Sequence, residues 1–396
     1  MANTLLTPTA VTRRALAILH QNLNFIGKVN RQYDDSFAVS GAKIGNTLKI
    51  RLPNKYTVTT GATLVTQDTT ETSEDLVVAT QKHVGMTFTT AELALDIDDF
   101  SQRIIEPAMA VLAADIEADA MSMAEDVWNT VIDNSNPIDR TDVLNMNKKI
   151  TDDLSPYTNR CLNMNTADNV NLVDSLAGLF NPQGNISRQY RQGLIQNQFL
   201  GFSEVYENTL WPQMTAGTQD GAYLVNGAAQ TGNSLIVDTG AGTMTKGQVF
   251  TIAGVNRVHP ETKVDTGELQ QFVVTALFAG GAGTVSIDPA ITTSTGSQTV
   301  TASPADNAAI TFLQTSSTSL NTSLGFHRDA FTFATADLEV PNGTDFAARE
   351  VYDGISLRVI RDYTINDDSI PARVDVLYGF KSVRPEQACK GHFTAT

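Results

Sequence analysis

Short segments of alternating apolar and polar residues, separated by glycines, dominate the stretch from Gly217 to Gly296. Each segment is rich in β-branched or aromatic side chains and has turn-forming residues at both ends, which is typical of strands in a small sandwich or barrel. No part of the stretch has helical periodicity. The segments predicted to be strands are residues 234–238, 248–252, 271–275 and 284–288.

An amphipathic helix and a long hairpin are predicted near the start of the chain. A Thr-Pro pair at Thr7 favours a helix start, and apolar residues follow at three- and four-residue spacing up to Leu23. Alternation predicts an outgoing strand at 44–53, a return strand at 76–80 and a further strand at 84–88. Because an isolated hairpin is marginally stable in water, we expect it to lie against a neighbouring molecule.

The longest helix is predicted from Pro107 to about Val131. Acidic residues precede it, where they interact favourably with the helix dipole, and it contains no glycine and no further proline. At 1.5 Å per residue this helix would be roughly 37 Å long, enough to form the spine of a domain. Its apolar stripe consists of Met109, Leu112, Ile116, Ala120, Met123 and Val127.

Alternating strands and helices are predicted between the long helix and the glycine-rich stretch. Residues 160–165 form a buried strand, Thr166 caps a helix running to Gly178, and residues 187–192 form a short helix. A domain of the α+β class therefore precedes the all-β stretch.

The same domain resumes after the all-β stretch. Residues 326–341 continue it, and two strands at 355–361 and 373–380 close the chain. A polar turn at 366–369 joins these two strands, as in a hairpin. The pattern thus predicts an α+β domain that is interrupted by an inserted all-β module.

Composition narrows the class of protein. The chain has 396 residues, of which 41% are hydrophobic and 18% charged, as expected of a globular protein. Its net charge of −16 argues against a surface that binds nucleic acid by neutralising phosphates, but is compatible with a protein that encloses nucleic acid. Two cysteines without metal or redox spacing, and no signal peptide or membrane-spanning run, predict a soluble protein that is not exported by the usual route.

No motif predicts catalysis. The sequence around Ser203 begins like a nucleophile elbow, but Val205 stands where the second glycine is needed, so a turn is predicted. Gly27-Lys28 is followed by valine, which excludes a phosphate-binding loop there.

Metal binding and thiol chemistry are also disfavoured. Asp96, Asp98 and Asp99 could hold a cation, but their position before a long helix favours the dipole interpretation. The five histidines lack paired ligand spacing. We expect Cys161 to be an inert buried thiol, and nothing indicates that Cys389 is reactive. The sequence therefore predicts neither an enzyme nor a cofactor.

Three runs of residues carry a family resemblance. Residues 200–208, 244–255 and 373–386, the last with Leu377-Tyr-Gly and Arg384-Pro-Glu, are similar to segments of the coat protein of the short-tailed Salmonella phage. The order of arm, extended hairpin, spine helix, α/β lobe and final strand pair resembles the major capsid proteins of tailed bacteriophages. These have the Hong Kong 97-type, or Johnson, fold, and this subgroup carries an inserted β-domain.

The resemblance implies a division into five parts, in which an axial domain has α/β character and a peripheral domain contains the spine helix. The expected parts are an N-terminal arm (1–42), an extended hairpin or E-loop (43–83), a peripheral domain (84–132 and 345–396), an axial domain (133–217 and 312–344) and an inserted barrel-like domain (218–311).

The resemblance implies a structural function as well. We expect a major capsid protein that self-assembles as hexamers and pentamers into an icosahedral head around double-stranded DNA, without sequence-specific DNA binding or membrane contact. It would be made in the host cytoplasm and reside in the virion, with a scaffolding protein and a portal as implied partners. The alternatives are an encapsulin-type compartment and a secreted carbohydrate-binding β-protein. Candidate inter-subunit contacts are Arg13, Arg14, Lys49, Arg51 and Lys55.

Overall fold

The computed structural model describes residues 23–31, 47–67, 71–89, 106–176, 199–294, 296–352 and 355–394. These contain three α-helices: α1 (Glu106–Met121), α2 (Arg140–Asp152) and α3 (Thr166–Ser175). The strands among them are β1 (Thr47–Arg51), β2 (Ser73–Val77), β3 (Thr80–Thr89), β4 (Thr130–Asp133), β5 (Arg160–Asn165), β6 (Glu204–Asn208), β7 (Met214–Thr215), β8 (Leu224–Val225), β9 (Gly232–Asp238), β10 (Val249–Val258), β11 (Asp265–Val274), β12 (Gly283–Ile291), β13 (Ile310–Phe312), β14 (Ser319–His327), β15 (Phe331–Ala336), β16 (Phe346–Tyr352), β17 (Ile355–Arg361), β18 (Ser369–Ser382) and β19 (Ala388–Phe393).

The chain divides into two compact units, each built from three separate segments. The first comprises Met1–Ile50, Ser73–Met121 and Phe331–Val383. The second comprises Arg51–Thr72, Ser122–Ala330 and Arg384–Thr396. Helices and sheets occur together, so the predicted α+β class is confirmed.

A five-stranded antiparallel sheet organises the first unit. Its longest strand, β18, pairs with β3 along one side and with β17 and then β15 along the other. Helix α1 contacts β3 and buries Met109, Leu112 and Ile116, so the predicted apolar stripe faces the core as expected.

The predicted length of the spine helix is wrong. Helix α1 ends at Met121 and is followed by a 3-10 turn, Ser122–Asp126. Its 16 residues span about 24 Å. The chain then turns to β-structure because β-branched residues follow and Thr130–Asp133 pairs with β19, a tertiary contact that the helical spacing of Met123 and Val127 does not reveal.

A mixed sheet with two helices, hereafter the lobe, forms one part of the second unit. Its strand order is β4-β19-β14-β5-β6, and β7 pairs with another stretch of β14. The predicted strand at 160–165 is confirmed as β5. Helix α3 is confirmed in place, but its cap is Asn165 rather than Thr166, since the Asn165 side chain accepts from the amide of Ala167. It ends at Ser175, short of the prediction, and the predicted helix at 187–192 lies outside the described residues.

A six-stranded antiparallel sheet, hereafter the barrel, forms the other part of the second unit. Its order is β13-β10-β11-β12-β9-β8, and a bridge between Leu224 and Ala309 brings the two end strands together. Backbone bonds from Val225 to Ala308 (3.0 Å) and from Ile310 to Tyr223 (3.1 Å) support this closure. The four strands predicted from alternation are all confirmed, as parts of β9 to β12.

The predicted hairpin is present. Strands β1 and β2 pair, so the return strand begins three residues earlier than predicted, at Ser73. Beyond β1 the chain runs without regular structure from Leu52, and a turn at 61–63 reverses it. Across this tip Gln67 accepts from the amide of Thr57 (2.9 Å) and donates to its carbonyl.

Candidate subunit-contact surface

The positively charged residues proposed as inter-subunit contacts can be placed only in part. Arg13 and Arg14 lie outside the described residues. Lys49, Arg51 and Lys55 are exposed on the hairpin.

Two of these hairpin cations already have neighbours in their own chain. Arg51 forms an ion pair with Glu71 (3.3 Å), and since both side chains are more than half exposed the pair contributes little to stability. Lys55 lies near Lys263, and its charge helps to lower the pKa of Lys263, after burial as the main cause. Arg51 therefore already has an acidic partner within the subunit, whereas Lys55 lies near another positive charge.

Four exposed apolar side chains at the end of the hairpin were missed in the sequence analysis. The residues around them are mostly polar or small. Large apolar side chains in such a segment are the signal that could have revealed them. We name them the apolar tip: Tyr56 (57% exposed), Val58 (98%), Leu64 (85%) and Val65 (56%). Complete burial of one such aliphatic side chain is worth about 1.5–3 kcal/mol, so the apolar tip can stabilise a contact more than the exposed charges can.

An ionic cluster links α1 to the sheet of the first unit. The Lys82 ammonium lies 2.7 Å from Asp115 and 2.6 Å from Asp119, and Tyr378 donates to Asp119 (2.6 Å). Partial burial lowers the pKa of Lys82, but hydrogen bonds to Asp115 and Asp119 raise it more, so its net pKa is above the ordinary value. Burial, followed by the bond to Asp119, raises the pKa of Tyr378. These contacts connect helix to sheet and have the character of a structural network.

An open depression of about 470 Å³ on the lobe is lined by carboxylates. Asp139 and Asp142 belong to the capping box of α2, and Asp133 accepts from the amides of Ser135 and Asn136. Burial raises the pKa of Asp142 to about 6. The carboxylates thus serve local turns and the start of a helix.

The predicted absence of a nucleophile elbow agrees with the local geometry. Ser203 follows a bridge between Phe199 and Phe202, and its amide donates to the carbonyl of Arg160 (2.8 Å). The chain then enters β6, whereas a nucleophile elbow leads into a helix. The predicted turn is therefore found here.

Other candidate chemistry can be placed only in part. Asp96, Asp98 and Asp99 lie outside the described residues. Among the residues that are described, no group of three or more His, Cys, Asp or Glu side chains could hold a metal ion. Cys161 and Cys389 are both buried thiols, and burial raises the pKa of the Cys389 thiol to about 12. Within the same described ranges, no helix is long and apolar enough to span a membrane.

Comparison with known proteins identifies the family. The family described as "P22 coat protein - gene protein 5" matches residues 21–393. A chain from Mycobacterium phage Che8 has a similar structure, with a TM-score of 0.50, 14% identity and coverage of 93% of this chain and 90% of that one. At this identity the likeness shows the fold alone. A search of curated proteins found no match.

Two further solved structures were found. The CUS-3 coat protein I-domain is 31% identical, with a TM-score of 0.20 and coverage of 24% of this chain and 97% of that chain. A virus-like particle from Pyrococcus furiosus is 8% identical, with a TM-score of 0.41 and 96% of each chain covered. The family match extends over nearly the whole sequence and confirms the predicted capsid fold. The chain belongs to the P22 coat protein family and is a major capsid protein of a tailed bacteriophage.

Proposed function

We propose that this chain assembles as hexamers and pentamers into an icosahedral head that encloses double-stranded DNA, and that the apolar tip of the hairpin packs against a second copy. The observation that carries the proposal is the exposure of four large apolar side chains at the end of an extended hairpin. A shell of repeated subunits offers each tip an equivalent neighbouring surface. Burial there removes apolar area from water, which is the main driving force of association.

The charge of the chain supports enclosure of DNA rather than tight binding. A net charge of −16 repels phosphates at long range, so the genome would be confined without being held by the wall. A scaffolding protein and a portal are proposed partners, by family resemblance, and synthesis in the host cytoplasm is proposed on the same ground. Arg13, Arg14, Lys49, Arg51 and Lys55 remain proposed contacts, secondary to the apolar tip.

The five-part division is also a proposal: arm 1–42, hairpin 43–83, peripheral domain 84–132 with 345–396, axial domain 133–217 with 312–344, and insertion 218–311. The two compact units assign two strands differently, since β15 pairs with β18 in the first unit and β19 pairs with β4 in the second. Support comes from the compactness of the barrel, whose end strands meet near the proposed boundaries of the insertion. Limited proteolysis of the free subunit, with mass-spectrometric mapping of the first cuts, tests these boundaries.

Two matched sets of substitutions test the contact. In the first set the apolar tip is changed by Tyr56→Ser, Val58→Ser, Leu64→Ser and Val65→Ser. In the second, the hairpin charges are removed by Lys49→Gln, Arg51→Gln and Lys55→Gln. Assembly is measured by sedimentation through a sucrose gradient, and folding by the thermal melt of the free subunit.

We expect the tip variant to lose most of the fast-sedimenting shells while its melt is unchanged, since these side chains are exposed in the subunit. The charge variant is expected to keep most of its shells, because exposed pairs are each worth only about 0–1 kcal/mol. Full assembly of the tip variant would contradict the proposed contact.

A further inference from the structure

The barrel and the lobe each have a hydrophobic core of their own. The barrel core and the lobe core share no residue among those described, although both belong to the same compact unit. Barrel core residues such as Phe250, Phe272 and Ile287 come from successive strands of the closed sheet. Lobe core residues such as Met146 and Leu162 come from α2 and the lobe strands. The contact between the two bodies is hereafter the seam, and a set of polar side chains crosses it.

A buried ion pair lies at the centre of the seam. Arg257 of β10 reaches Asp153, which follows α2, at 2.5 Å, and the two side chains are only 12% and 10% exposed. The other carboxylate oxygen of Asp153 accepts from the Asn129 amide (2.6 Å). Burial raises the pKa of Asp153 to about 6, although Arg257 counteracts this effect. Removal of either partner would leave a buried charge without compensation, which is strongly unfavourable.

A glutamine of the barrel binds the free edge of the lobe sheet. Strand β4 is the outermost on its side among the described strands, so none of them pairs with the outer backbone groups of Thr130. The Gln271 amide takes that place: its oxygen accepts from Thr130 N–H (2.8 Å), and its nitrogen donates to Thr130 C=O (3.1 Å). Lys149 of α2 also donates to Gln271 (3.1 Å). An exposed strand edge is a template for pairing with another chain, and here the barrel covers it.

Further polar contacts cross the seam. Lys390 donates to the carbonyl of Gly247 (2.7 Å), and the Asn134 amide donates to the carbonyl of Leu313 (2.8 Å). At the rim, Lys148 pairs with Glu268 at 2.7 Å, with both side chains more than half exposed. When the two bodies separate, water can form hydrogen bonds with these polar groups. Separation of a shared apolar core would instead expose apolar surface to water, which is unfavourable.

We propose that the barrel is a hinged cover on the β4 edge of the lobe, which detaches as a folded body when the seam opens and exposes the backbone of Thr130. The hinge lies at β7 and β14, the strands that precede and follow the barrel in the chain. Opening breaks the Arg257–Asp153 ion pair and the hydrogen bonds between Gln271 and Thr130, but it leaves both apolar cores intact. This inference does not depend on the proposed shell contact, because every residue that carries it belongs to one subunit.

Amide hydrogen exchange of the full chain as free subunit tests the hinge. The variant Arg257→Gln removes the buried pair, and Asp153→Asn removes the charge while keeping the side-chain shape. Lys148→Gln is the matched control, because it breaks an exposed pair in the same seam. The reporters are the amide of Thr130 and the amides of β9 and β12 in the barrel.

We expect the Thr130 amide to exchange at least about tenfold faster in the seam variants, while the barrel amides stay at the wild-type rate, as in sub-global opening. The Lys148→Gln control is expected to leave both rates unchanged. If the barrel amides accelerate together with Thr130, the barrel and lobe unfold as one body and the hinge is wrong. If Thr130 keeps the wild-type rate in both seam variants, the Arg257–Asp153 pair does not hold the cover. If Arg257→Gln does not fold, Asp153→Asn decides the question alone.

Discussion

Lys390 is a fully buried cation whose ammonium is held by backbone oxygen atoms. Burial lowers its pKa from 10.5 to about 7, with partial compensation from Asp126 and Glu125. Between these two pH values the unfolded chain binds a proton that the folded chain does not. The free energy of unfolding must therefore rise with pH in that window, by up to about 1.4 kcal/mol per pH unit from this group.

The variant Lys390→Met isolates this contribution. It removes the titrating group but leaves the carbonyl of Gly247 without its donor. We expect the stability of wild type relative to the variant to increase from pH 7 to pH 9.5, as measured by urea unfolding at each pH. Parallel curves for the two proteins would show that Lys390 keeps an ordinary pKa in the folded state.

Gly217 marks a place where two backbones touch at the base of the barrel. A Cβ atom there would lie 2.1 Å from the carbonyl oxygen of Thr243, which is backbone and cannot rotate away. We expect Gly217→Ala to lower the free energy of unfolding by about 1–3 kcal/mol, as overpacking does.

The control for this substitution is Gly85→Ala on β3, where an added Cβ meets no heavy atom within 4 Å. We expect a change within about 0.5 kcal/mol, as for other surface sites. Equal effects of the two substitutions in urea unfolding would contradict the close approach at Gly217.

At the scale of elements, the barrel is the part most able to stand alone. All members of its core cluster lie between Tyr223 and Ile310, and its sheet is closed by its own end strands. The sequence boundaries 218–311 cut β13, so the fragment to test is 217–315, which keeps Phe312 and Gln314. Gln314 accepts from the amide of Val249 and thus supports the closure (2.9 Å).

We expect fragment 217–315 to be a monomeric β-protein with dispersed amide resonances and a cooperative melt, because it contains the whole barrel core. Nuclear magnetic resonance spectra and a thermal scan measure this. Collapsed resonances without a cooperative transition would mean that the barrel needs the lobe in order to fold.

Strands were predictable because alternation is local. The segment around Val285 alternates strictly, those around Leu235 and Phe250 are rich in β-branched or aromatic residues, and each one is a barrel strand. The end of α1 was not predictable in this way, because helical spacing continues through Val127 while the chain has already turned toward β4. There the pairing partner, β19, lies at the other end of the sequence, and only the folded chain brings it close.

The polar contacts of the seam could not be predicted from the sequence for the same reason. Asp153 and Arg257 are 104 positions apart, and nothing in either neighbourhood announces a buried pair. The apolar tip escaped because Val58 and Leu64 have no period to belong to. Of the site residues predicted from charge, Lys49, Arg51 and Lys55 are exposed as expected of a contact, and their contact with a neighbour remains a prediction.

At the scale of the whole molecule, 43 acidic and 27 basic residues make subunits repel at long range. The Debye length falls from about 10 Å at 0.1 M salt to about 3 Å at 1 M. Added salt first relieves this repulsion and then weakens exposed pairs, such as those that Lys49 or Lys55 could make with a neighbour. We expect the assembly yield to peak at intermediate salt while the melting temperature of the free subunit changes little.

Light scattering of assembly reactions over this salt range measures the yield, and differential scanning calorimetry of the free subunit is the control. A yield that does not change with salt would assign the interfaces to apolar contacts alone. The apolar tip would then account for the contact without help from the hairpin charges.

Family membership decides among the three functions considered from the sequence. The match over residues 21–393 supports a phage coat protein and gives no support to a secreted carbohydrate-binding protein or an encapsulin-type compartment. What distinguishes this chain physically is the combination of an exposed apolar tip and a self-contained barrel. The first favours association between subunits, and the second leaves the lobe free to keep its own core.

Electron microscopy of the purified full-length protein tests the central claim most directly. The account predicts closed icosahedral shells built from rings of five and six subunits, which enclose DNA when they are taken from infected cells. Closed shells filled with protein cargo would point to a compartment instead. Small uniform particles at concentrations where shells should form, with no rings or curved sheets, would contradict a shell subunit altogether.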